Sequence, residues 1–467
     1  MIHTALAILA LALSLPDTTI GSCLSPEQAV ALALETAPET LTAEAERDFA
    51  RASLMAARSR RYPQIGLFGQ TGIGDRQPID QSRDDQVGLS ASLELTSFGQ
   101  RSAAIAAARE TLQAAEAGEL AAMVEVAQTS LIFYSNLQRS ERLVGLTTRQ
   151  TDGYARDAET VTSRLERQLI TLADARQIES RYAAALARRE QAVLMRNNSL
   201  AELAVFVGIE PNCTASEEAV LPPMVAQDLA TMSRAEAMTR ADLQSFNLLS
   251  ARAARRAEQA DLRQANRSGL PTVSLNAFAL GEYDDSDLPV EDRWEREDRV
   301  GFSVRQDLFT GGQLRARQAE GRARVRAADA KVEEERRRID FEVTRGIGAL
   351  HQHAAIVRQR EIASLAAAER LDLTIIELER GTKTISDYVL ANEDYYNAAI
   401  EGVNASSERE RTLINMAATT GLLPDAFPHL FGTGLSSEQT PQSAPHTPLS
   451  TDRKAPMPSK RNGLNGQ

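Results

Sequence analysis

The chain has 467 residues, a net charge of −12 and only 4% aromatic residues. Its two cysteines and five histidines are too few for a zinc-finger protein or a disulfide scaffold, and the acidic balance argues against a nucleic-acid binder. The sequence is rich in Ala, Arg, Glu, Gln and Leu, which are strong helix formers. This composition also argues against a collagen-like chain and a multi-span helical membrane protein, and it favours long, narrow helices.

The first segment of the chain has the pattern of a secretory signal peptide. Its apolar run from Ala5 to Leu15 is shorter than the roughly 20 residues that span a bilayer. Pro16 and several small residues follow the run, as they do at a signal-peptide cleavage site. We therefore expect residues 1–22 to be removed on export, which brings the mature chain into an oxidising compartment.

Three states are open to the cysteines. Ile20-Gly21-Ser22-Cys23 resembles a lipobox, in which the cysteine becomes the lipid-bearing N-terminus, although Pro16 to Thr19 separate it from the apolar run. The state that we prefer is a disulfide between Cys23 and Cys213, which would close a long loop and stabilise the fold. Two free thiols are the remaining alternative.

A tandem duplication runs through the chain at a fixed offset of 213 residues. Val87-Gly88-Leu89-Ser90 recurs as Val300-Gly301-Phe302-Ser303, and Leu165-Glu166-Arg167 recurs as Leu378-Glu379-Arg380. Because the register holds across this whole stretch without a gap, the matches are not due to chance.

The duplication defines the predicted organisation of the chain. A signal peptide (1–22) precedes a first structural repeat (23–223) and a second structural repeat (224–426). The tail (427–467) is rich in Pro, Ser and Thr, and we expect it to be disordered.

The sequence of each repeat predicts two short helices, two strands, one very long helix and a returning helix. Strands are indicated by period-two alternation, clearest where Val87, Leu89, Ala91, Leu93 and Leu95 alternate with smaller or polar residues. Such alternation is also typical of barrel strands that face lipid on one side and water on the other. The acidic segments from Asp75 to Asp85 and from Glu282 to Asp298 are predicted to be the loops that connect the strands.

The long helix of the first repeat is predicted from Gln100 to Arg167, a stretch without proline. It would be on the order of 100 Å long, and the returning helix and the short helices together match that length. A rod of this kind cannot bury its apolar faces alone, and four strands do not close a barrel. The predicted fold is therefore mainly α with a small β part, a coiled-coil helical barrel that three chains complete with twelve strands.

Two motifs carry a family resemblance. Leu308-Phe309-Thr310-Gly311-Gly312 lies at a predicted strand-to-helix junction, and Arg380-Gly381-Thr382-Lys383-Thr384-Ile385-Ser386-Asp387 lies at the far turn. Together with Pro63 and Pro271 before the outgoing strands, they resemble the TolC family of outer-membrane efflux and secretion channels. The resemblance covers residues 24–425.

The resemblance implies a homotrimer with a 12-stranded barrel in the outer membrane lipid and an α-helical tunnel that crosses the periplasm. It also implies docking to a periplasmic adaptor (a membrane fusion protein) and to an inner-membrane pump or ABC transporter. Drugs, small molecules or unfolded polypeptides would leave through the pore. The tunnel is expected to be closed at rest by its periplasmic helix tips.

The candidate gate lies where the two returning helices begin, at Thr171-Leu172-Ala173-Asp174 and Thr384-Ile385-Ser386-Asp387. The structural interpretation is a capping box, with Asp in the first turn of each helix. The functional interpretation is that symmetry brings three copies of each Asp to a constriction, where a carboxylate ring attracts cations. Both interpretations can hold together.

The resemblance also implies tethers between the tips. We predict that Asp387 forms the axial ring and that Lys383 pairs with Asp174. Leu378 stands where the family has an aromatic residue, and Leu390 stands where it has a second axial Asp. Gly381 suits a positive φ, whereas its repeat partner is Gln168, so we expect the two tips to differ.

No enzymatic activity, cofactor or metal is predicted, because the sequence has no GxxxxGK loop, HExxH motif or paired-cysteine site. The main alternative is a periplasmic coiled-coil adaptor or scaffold, which would need no lipid-facing strands. A further alternative is a conduit dedicated to secreting one protein.

Overall fold

The structure, a computed structural model, describes residues 24–76, 80–168, 170–208, 215–216, 218–285 and 293–431. The predicted signal peptide, Cys23, Cys213 and the tail beyond Phe431 lie outside the described residues. The disulfide and the lipid anchor therefore stay predictions.

Ten helices account for most of the described residues, which confirms the mainly helical fold class. In chain order they are α1 (Pro26–Thr36), α2 (Pro38–Ser59), α3 (Gln100–Glu166), α4 (Leu172–Val207), α5 (Pro223–Thr231), α6 (Arg234–Gln244), α7 (Phe246–Arg267), α8 (Gln313–Glu379), α9 (Ile385–Thr419) and α10 (Leu423–Ala426). The long helices α3 and α8 have 67 residues each and begin at the offset of the sequence duplication.

Four strands form one antiparallel sheet in the order β1-β2-β3-β4. They are β1 (Gln64–Arg76), β2 (Asp80–Thr96), β3 (Thr272–Asp285) and β4 (Arg293–Arg305). Two hairpins were expected from the sequence, and the additional pairing of β2 with β3 joins the two repeats into a continuous sheet.

The predicted strand-connecting loops are too long. The pairing of β1 with β2 continues to Arg76 and Asp80, and that of β3 with β4 continues to Asp284 and Arg293. The acidic residues in these segments end the apolar alternation but leave the backbone ladder intact. A strand is held by backbone hydrogen bonds, and where it leaves an apolar environment it needs no apolar side chains. The polar composition of these segments therefore did not indicate a loop.

The helices form a wall of neighbouring rods. In the half next to the sheet, the neighbours are α2 with α3, α3 with α7, and α7 with α8; in the other half, α4 packs on α3, α3 on α9, and α9 on α8. None of the helices in the described part of the chain combines the length and apolar character needed to cross a membrane.

Midway along the wall, the short helices α1, α5, α6 and α10 pack against one face, and we call these four helices the central belt. The fully buried side chains there include Tyr134 and Leu131 of α3, Leu203 of α4 and Ile414 of α9. The larger of the two apolar cores therefore lies between the central belt and the middle of the long helices. A second, smaller apolar cluster lies near the far end and is described below.

Candidate functional site

The turns at the end remote from the sheet bring the predicted gate residues together. We call the turn between α3 and α4 the first tip and the turn between α8 and α9 the second tip. Behind them lies a cluster that we call the tip cluster, formed by Tyr154, Val161, Ala175, Ile178, Ala185, Leu371, Ile385, Tyr388, Val389 and Ala391.

The predicted capping boxes are confirmed at both tips. At the first tip, the Asp174 carboxylate accepts a 3.0 Å hydrogen bond from the Thr171 backbone N–H, and the Thr171 hydroxyl oxygen accepts one of 3.1 Å from the Asp174 N–H. At the second tip, Thr384 and Asp387 make the same pair of bonds at 2.9 Å and 3.2 Å. Each box satisfies two donors at the beginning of a returning helix.

The second tip is built to keep Asp387 ionised. The backbone and side-chain hydrogen bonds from Thr384 lower the pKa of this carboxyl, and the charges of Lys383 and Arg370 lower it further. Because hydrogen bonds and nearby cations favour the charged form of an acid, Asp387 carries its negative charge at neutral pH.

The predicted pair between Lys383 and Asp174 is not formed within the chain. Asp174 is engaged in its own capping box, and Lys383 lies next to Asp387, whose pKa its charge lowers. The two tips are linked instead by the Ser386 hydroxyl, which donates a 3.0 Å hydrogen bond to the Gln177 side chain on α4. The expected cross-tip contact therefore uses neutral groups one turn into the helices.

The repeat partners Gln168 and Gly381 both adopt a positive φ, although the difference in residue type led us to expect that the tips differ at this position. Gly381 has a φ of 73°, and its repeat partner Gln168 has a φ of 57°. Phe98, the other non-glycine residue with positive φ among the described residues, likewise has a glycine, Gly311, as its repeat partner. Both repeats have kept the positive φ at these positions. In the first repeat the residues are Gln168 and Phe98, whose side chains disfavour that conformation.

The remaining predicted gate residues lie on different surfaces. Leu378, near the end of α8, packs against the tip cluster and does not reach across the tip as an aromatic ring would. Leu390 on α9 is 53% exposed. The structure therefore gives Leu378 a packing role and leaves Leu390 available to solvent.

A buried charged contact that the sequence analysis did not predict lies one layer behind the tips. Glu393 of α9, only 9% exposed, accepts a 2.7 Å hydrogen bond from Arg188 of α4. Tyr154 of α3 donates to the same carboxylate at 3.3 Å. Three helices therefore meet at one carboxylate, and burial of the Tyr154 hydroxyl beside it raises the pKa of Tyr154.

Further polar contacts join α3 to α9. Near the tip cluster, Tyr388 donates to Asp157 at 2.7 Å. Toward the central belt the contacts are Gln128 with Asn415 at 2.8 Å, Ser135 with Glu410 at 3.0 Å and Arg139 with Asn404 at 2.9 Å. One feature of the sequence indicates polar contacts on this side of α9. Asn392 and Glu393 follow Tyr388 and Val389 by one helical turn, so these two polar residues lie on the otherwise apolar stripe of the helix.

The sheet at the opposite end has one apolar face exposed to solvent in the single chain. Cross-strand partners such as Leu67 with Leu89 and Ala277 with Val300 place this face on all four strands. Its outer members are strongly exposed: Ile65 and Leu67 at 76% and Phe302 at 75%. The other face carries Ser, Asn, Gln and charged residues, together with Phe68, Phe278 and Leu280.

Both edges of the sheet are open. Among the described residues, β1 pairs only with β2, and β4 pairs only with β3. No group of three or more His, Cys, Asp or Glu side chains in the described part of the chain could hold a metal ion.

A sequence profile described as "Outer membrane efflux protein" matches residues 29–208 and 237–422, which cover both repeats. The chain belongs to the outer membrane efflux protein family. The resemblance to TolC-type channels is thereby confirmed, and the chain is assigned to the outer membrane, extending into the periplasm. This location removes the alternative of a soluble periplasmic scaffold.

Relatives of the chain agree with the assignment. Outer membrane protein TolC of Escherichia coli K12 is 24% identical over 441 residues, which cover 88% of this chain and 85% of that protein. Proteases secretion protein PrtF of Dickeya chrysanthemi is 25% identical over 161 residues, 34% of this chain and 35% of that protein. The crystal structure of outer membrane protein VceC from Vibrio cholerae superposes with a TM-score of 0.71 at 20% identity, covering 85% of this chain and 96% of VceC.

Proposed function

We propose that three copies of the chain form one channel that crosses the outer membrane and the periplasm. The observation that carries this proposal is the four-stranded sheet with two open edges and one exposed apolar face. Within lipid, every backbone donor and acceptor needs a partner, so a sheet spans a membrane only as a closed barrel. Joining β1 of each copy to β4 of the next closes twelve strands, an even number within the range of outer-membrane barrels.

The two faces of the sheet suit this arrangement. The apolar face would contact lipid, and the polar face would line the pore. On the pore side, Phe68 lies against Gly88 on the neighbouring strand, at a place where no larger residue fits. This contact fills the space above a glycine and sets the local shape of the barrel wall.

The helices support association of the copies as well. Large apolar side chains are exposed on α2 and α4 at one edge of the wall and on α8 at the other, including Phe49 at 75%, Val205 at 84% and Leu373 at 61%. Neighbouring copies would cover these edges and extend the wall into a closed tunnel. With 67 residues, α3 and α8 are each about 100 Å long, so the tunnel reaches far into the periplasm.

We infer that the channel is the outer-membrane part of a tripartite efflux or type I secretion system. An inner-membrane pump or ABC transporter would supply the energy, and a periplasmic adaptor would join it to the helix tips. The similarity to TolC and to PrtF, whose name states that it secretes proteases, supports export as the activity.

We propose that the helix tips close the tunnel at rest. Three copies of Asp387, held ionised by Thr384, would form a ring at the narrowest point, with Asp174 of the first tip beside it. A ring of fixed negative charges favours cations over anions in the pore. Lys383, which lies next to Asp387, would moderate this field and hold the tips together across neighbouring copies.

Planar-bilayer recordings on purified trimers test the gate. Asp387→Asn should reduce the preference for cations, and Lys383→Ala should increase both this preference and the conductance. Glu236→Gln is the matched control, because Glu236 is the acidic member of the capping box of α6 in the central belt, remote from the tips. Unchanged ion selectivity in Asp387→Asn, or an equal change in Glu236→Gln, would contradict the proposed ring.

A further inference from the structure

Seven arginines that form no ion pair with another described residue lie where the helices meet the sheet, although the chain as a whole has a net charge of −12. We call this group the basic collar. It consists of Arg58, Arg60 and Arg61 at the end of α2, Arg263 and Arg267 at the end of α7, and Arg315 and Arg322 at the beginning of α8.

The collar lies within a narrow zone along the molecule. α2 ends at Ser59, five residues before β1 begins at Gln64, and α7 ends at Arg267, five residues before β3 begins at Thr272. Arg322, the collar residue farthest into its helix, is nine residues beyond the first residue of α8. At 1.5 Å per residue, the whole collar falls within roughly 15 Å of the helix–strand junction.

The collar arginines are exposed and have no carboxylate partner. None of them forms an ion pair with a described residue, and Arg267 makes one hydrogen bond, a 3.3 Å bond to the Gly99 carbonyl oxygen. Arginines slightly farther from the sheet differ: Arg255 pairs with Asp329 at 3.1 Å. Seven unneutralised positive charges in one zone create a positive potential that attracts anions.

Contacts with the central belt show which face of the wall the collar lies on. Arg252 of α7 pairs at 2.7 Å with Asp242 of α6, and Arg336 of α8 lies 3.6 Å from the same carboxylate. Arg263 follows Arg252 by 11 residues, which is about 20° from three whole helical turns, and Arg267 follows it by 15 residues, about 60° from four whole turns. Both therefore lie on the same side of α7 as Arg252.

The arginines of α8 obey the same rule. Arg322 and Arg315 precede Arg336 by two and three heptads. Because a straight helix drifts by about 20° per heptad, they are displaced from Arg336 by about 40° and 60° and stay on the same side of α8. The collar arginines of α7 and α8 therefore lie on the face that bears the central belt.

Two acidic residues of the same zone, Glu320 and Asp261, lie near Arg324, which is not a collar residue. Arg324 pairs with Glu320 at 2.6 Å. Burial raises the pKa of Asp261, and the same Arg324 charge opposes this effect. Because Arg324 is shared between these two carboxyls, neither neutralises the collar.

An apolar ring separates the collar from the sheet. Tyr62 precedes β1, Phe98 follows β2, and Leu308 and Phe309 follow β4, with exposures of 69%, 58%, 90% and 89%. Aromatic side chains are enriched where the apolar core of a membrane meets its headgroups. Along the molecule, the order is apolar sheet face, exposed apolar ring and unpaired arginines.

We propose that the basic collar binds the phosphate groups of anionic phospholipids in the membrane leaflet that faces the periplasm. The order of surfaces matches that of a leaflet, which presents acyl chains, then the interface, then phosphates. Guanidinium groups bind phosphate oxygens through two hydrogen bonds, and fixed cations favour lipids with a net negative charge. The inference rests on the proposed barrel, because it requires the sheet to be in lipid.

Native mass spectrometry of the trimer tests the proposal. Trimers in neutral detergent are titrated with phosphatidylglycerol or phosphatidylcholine, and the lipids retained by each chain are counted. We expect wild-type trimers to retain more phosphatidylglycerol than phosphatidylcholine. In the triple variant Arg263→Gln, Arg315→Gln, Arg322→Gln, the ratio of retained phosphatidylglycerol to retained phosphatidylcholine should fall at least tenfold. The matched control is Arg142→Gln, Arg345→Gln, Arg358→Gln, which removes three exposed, unpaired arginines far from the sheet and should leave the preference unchanged.

Two further measurements keep the test decisive if the triple variant does not assemble. The corresponding Arg→Lys variant should keep most of the preference, and raising the salt concentration should weaken the preference of the wild-type trimer. A wild-type trimer with no preference, or an equal loss in the control variant, would overturn the proposal. If such trimers still form pores in bilayers, the barrel stands and only the collar is wrong; if the wild-type protein does not enter bilayers at all, the proposed function fails first.

Discussion

Tyr388 on α9 donates a 2.7 Å hydrogen bond to Asp157 on α3, inside the cluster that supports both helix tips. Burial raises the pKa of Asp157, although the hydrogen bond from Tyr388 and the charges of Arg164 and Arg156 oppose the shift. The folded state therefore favours the protonated carboxyl more than the unfolded state does. The contact between α3 and α9 is therefore also sensitive to pH.

The sign of this effect gives the first prediction. Because the folded-state pKa of Asp157 exceeds its unfolded value, the stability it contributes is complete at low pH and is lost as the pH rises through the folded value. Asp157→Asn keeps an acceptor for Tyr388 and removes the charge. We expect the variant to melt a few degrees above wild type at pH 7.5, and we expect this difference to disappear below about pH 3.9, the pKa of an unfolded Asp. A destabilised variant at pH 7.5 would contradict this account.

The carboxylate of Glu393 gives the second prediction. Arg188→Met removes the 2.7 Å partner and leaves a charge that is only 9% exposed, so we expect a loss of about 2 kcal/mol in the free energy of unfolding. The double variant Arg188→Met, Glu393→Met should recover most of the loss, because the buried carboxylate is gone and Arg181, which lies 4.0 Å from it, is partly exposed to solvent. Urea denaturation of the wild type, the two single variants Arg188→Met and Glu393→Met, and the double variant measures the coupling, and additive losses would show that the two residues do not interact.

The third prediction concerns the left-handed turns. Gln168 has a φ of 57°, a conformation that costs a side-chain-bearing residue about 1 kcal/mol or more. Gln168→Gly should therefore stabilise the first tip, and the reverse change, Gly381→Gln, should destabilise the second tip by a similar amount. Thermal unfolding of both variants checks this expectation. A stabilising effect of Gly381→Gln would mean that strain does not decide the residue type at these turns.

The fourth prediction uses the duplication as its own control. A Cβ at Gly88 would lie 2.7 Å from Cζ of Phe68 and 2.9 Å from the carbonyl oxygen of Ala279, whereas a Cβ at its repeat partner Gly301 has nothing within 4 Å. Gly88→Ala should therefore reduce the amount of heat-modifiable trimer in outer-membrane fractions severalfold, and Gly301→Ala should not. Equal yields from the two variants would contradict the packing described for β1 and β2.

Much of the fold could be predicted from sequence because local patterns dominate it. The absence of proline between Gln100 and Arg167 predicted the limits of α3 to within one residue. The capping boxes of Thr171 and Thr384 predicted where the two returning helices begin. The strand limits at Arg76 and Asp80 were not predictable, because pairing there depends on the neighbouring strand rather than on side-chain alternation.

The candidate site was predicted less completely, because contacts between distant segments leave little trace in one sequence. The positions of Asp174 and Asp387 follow from spacing alone. The contact of Arg188 with Glu393 joins α4 to α9, and its only sequence signal is a carboxylate on an apolar stripe. Lys383 was assigned to Asp174, whereas the fold leaves it beside its own neighbour Asp387.

The proposed barrel requires β1 of one copy to pair with β4 of the next. The repeats predict the register of this seam, because Ser90 of β2 pairs with Phe278 of β3. The offset of 213 residues takes Ser90 to Ser303 on β4, and the offset of 208 residues that relates Pro63 to Pro271 takes Phe278 back to Gln70 on β1, so Ser303 should lie opposite Gln70. The most direct test is oxidative cross-linking in whole cells of a Gln70→Cys, Ser303→Cys variant in which Cys23 and Cys213 are replaced by Ser.

We expect covalent products that end at three chains on a denaturing gel. The control variant Thr71→Cys, Ser303→Cys should give no product, because successive residues of a strand point to opposite faces of a sheet. Products that end at two chains, or the absence of any product from correctly localised protein, would contradict the twelve-stranded trimer.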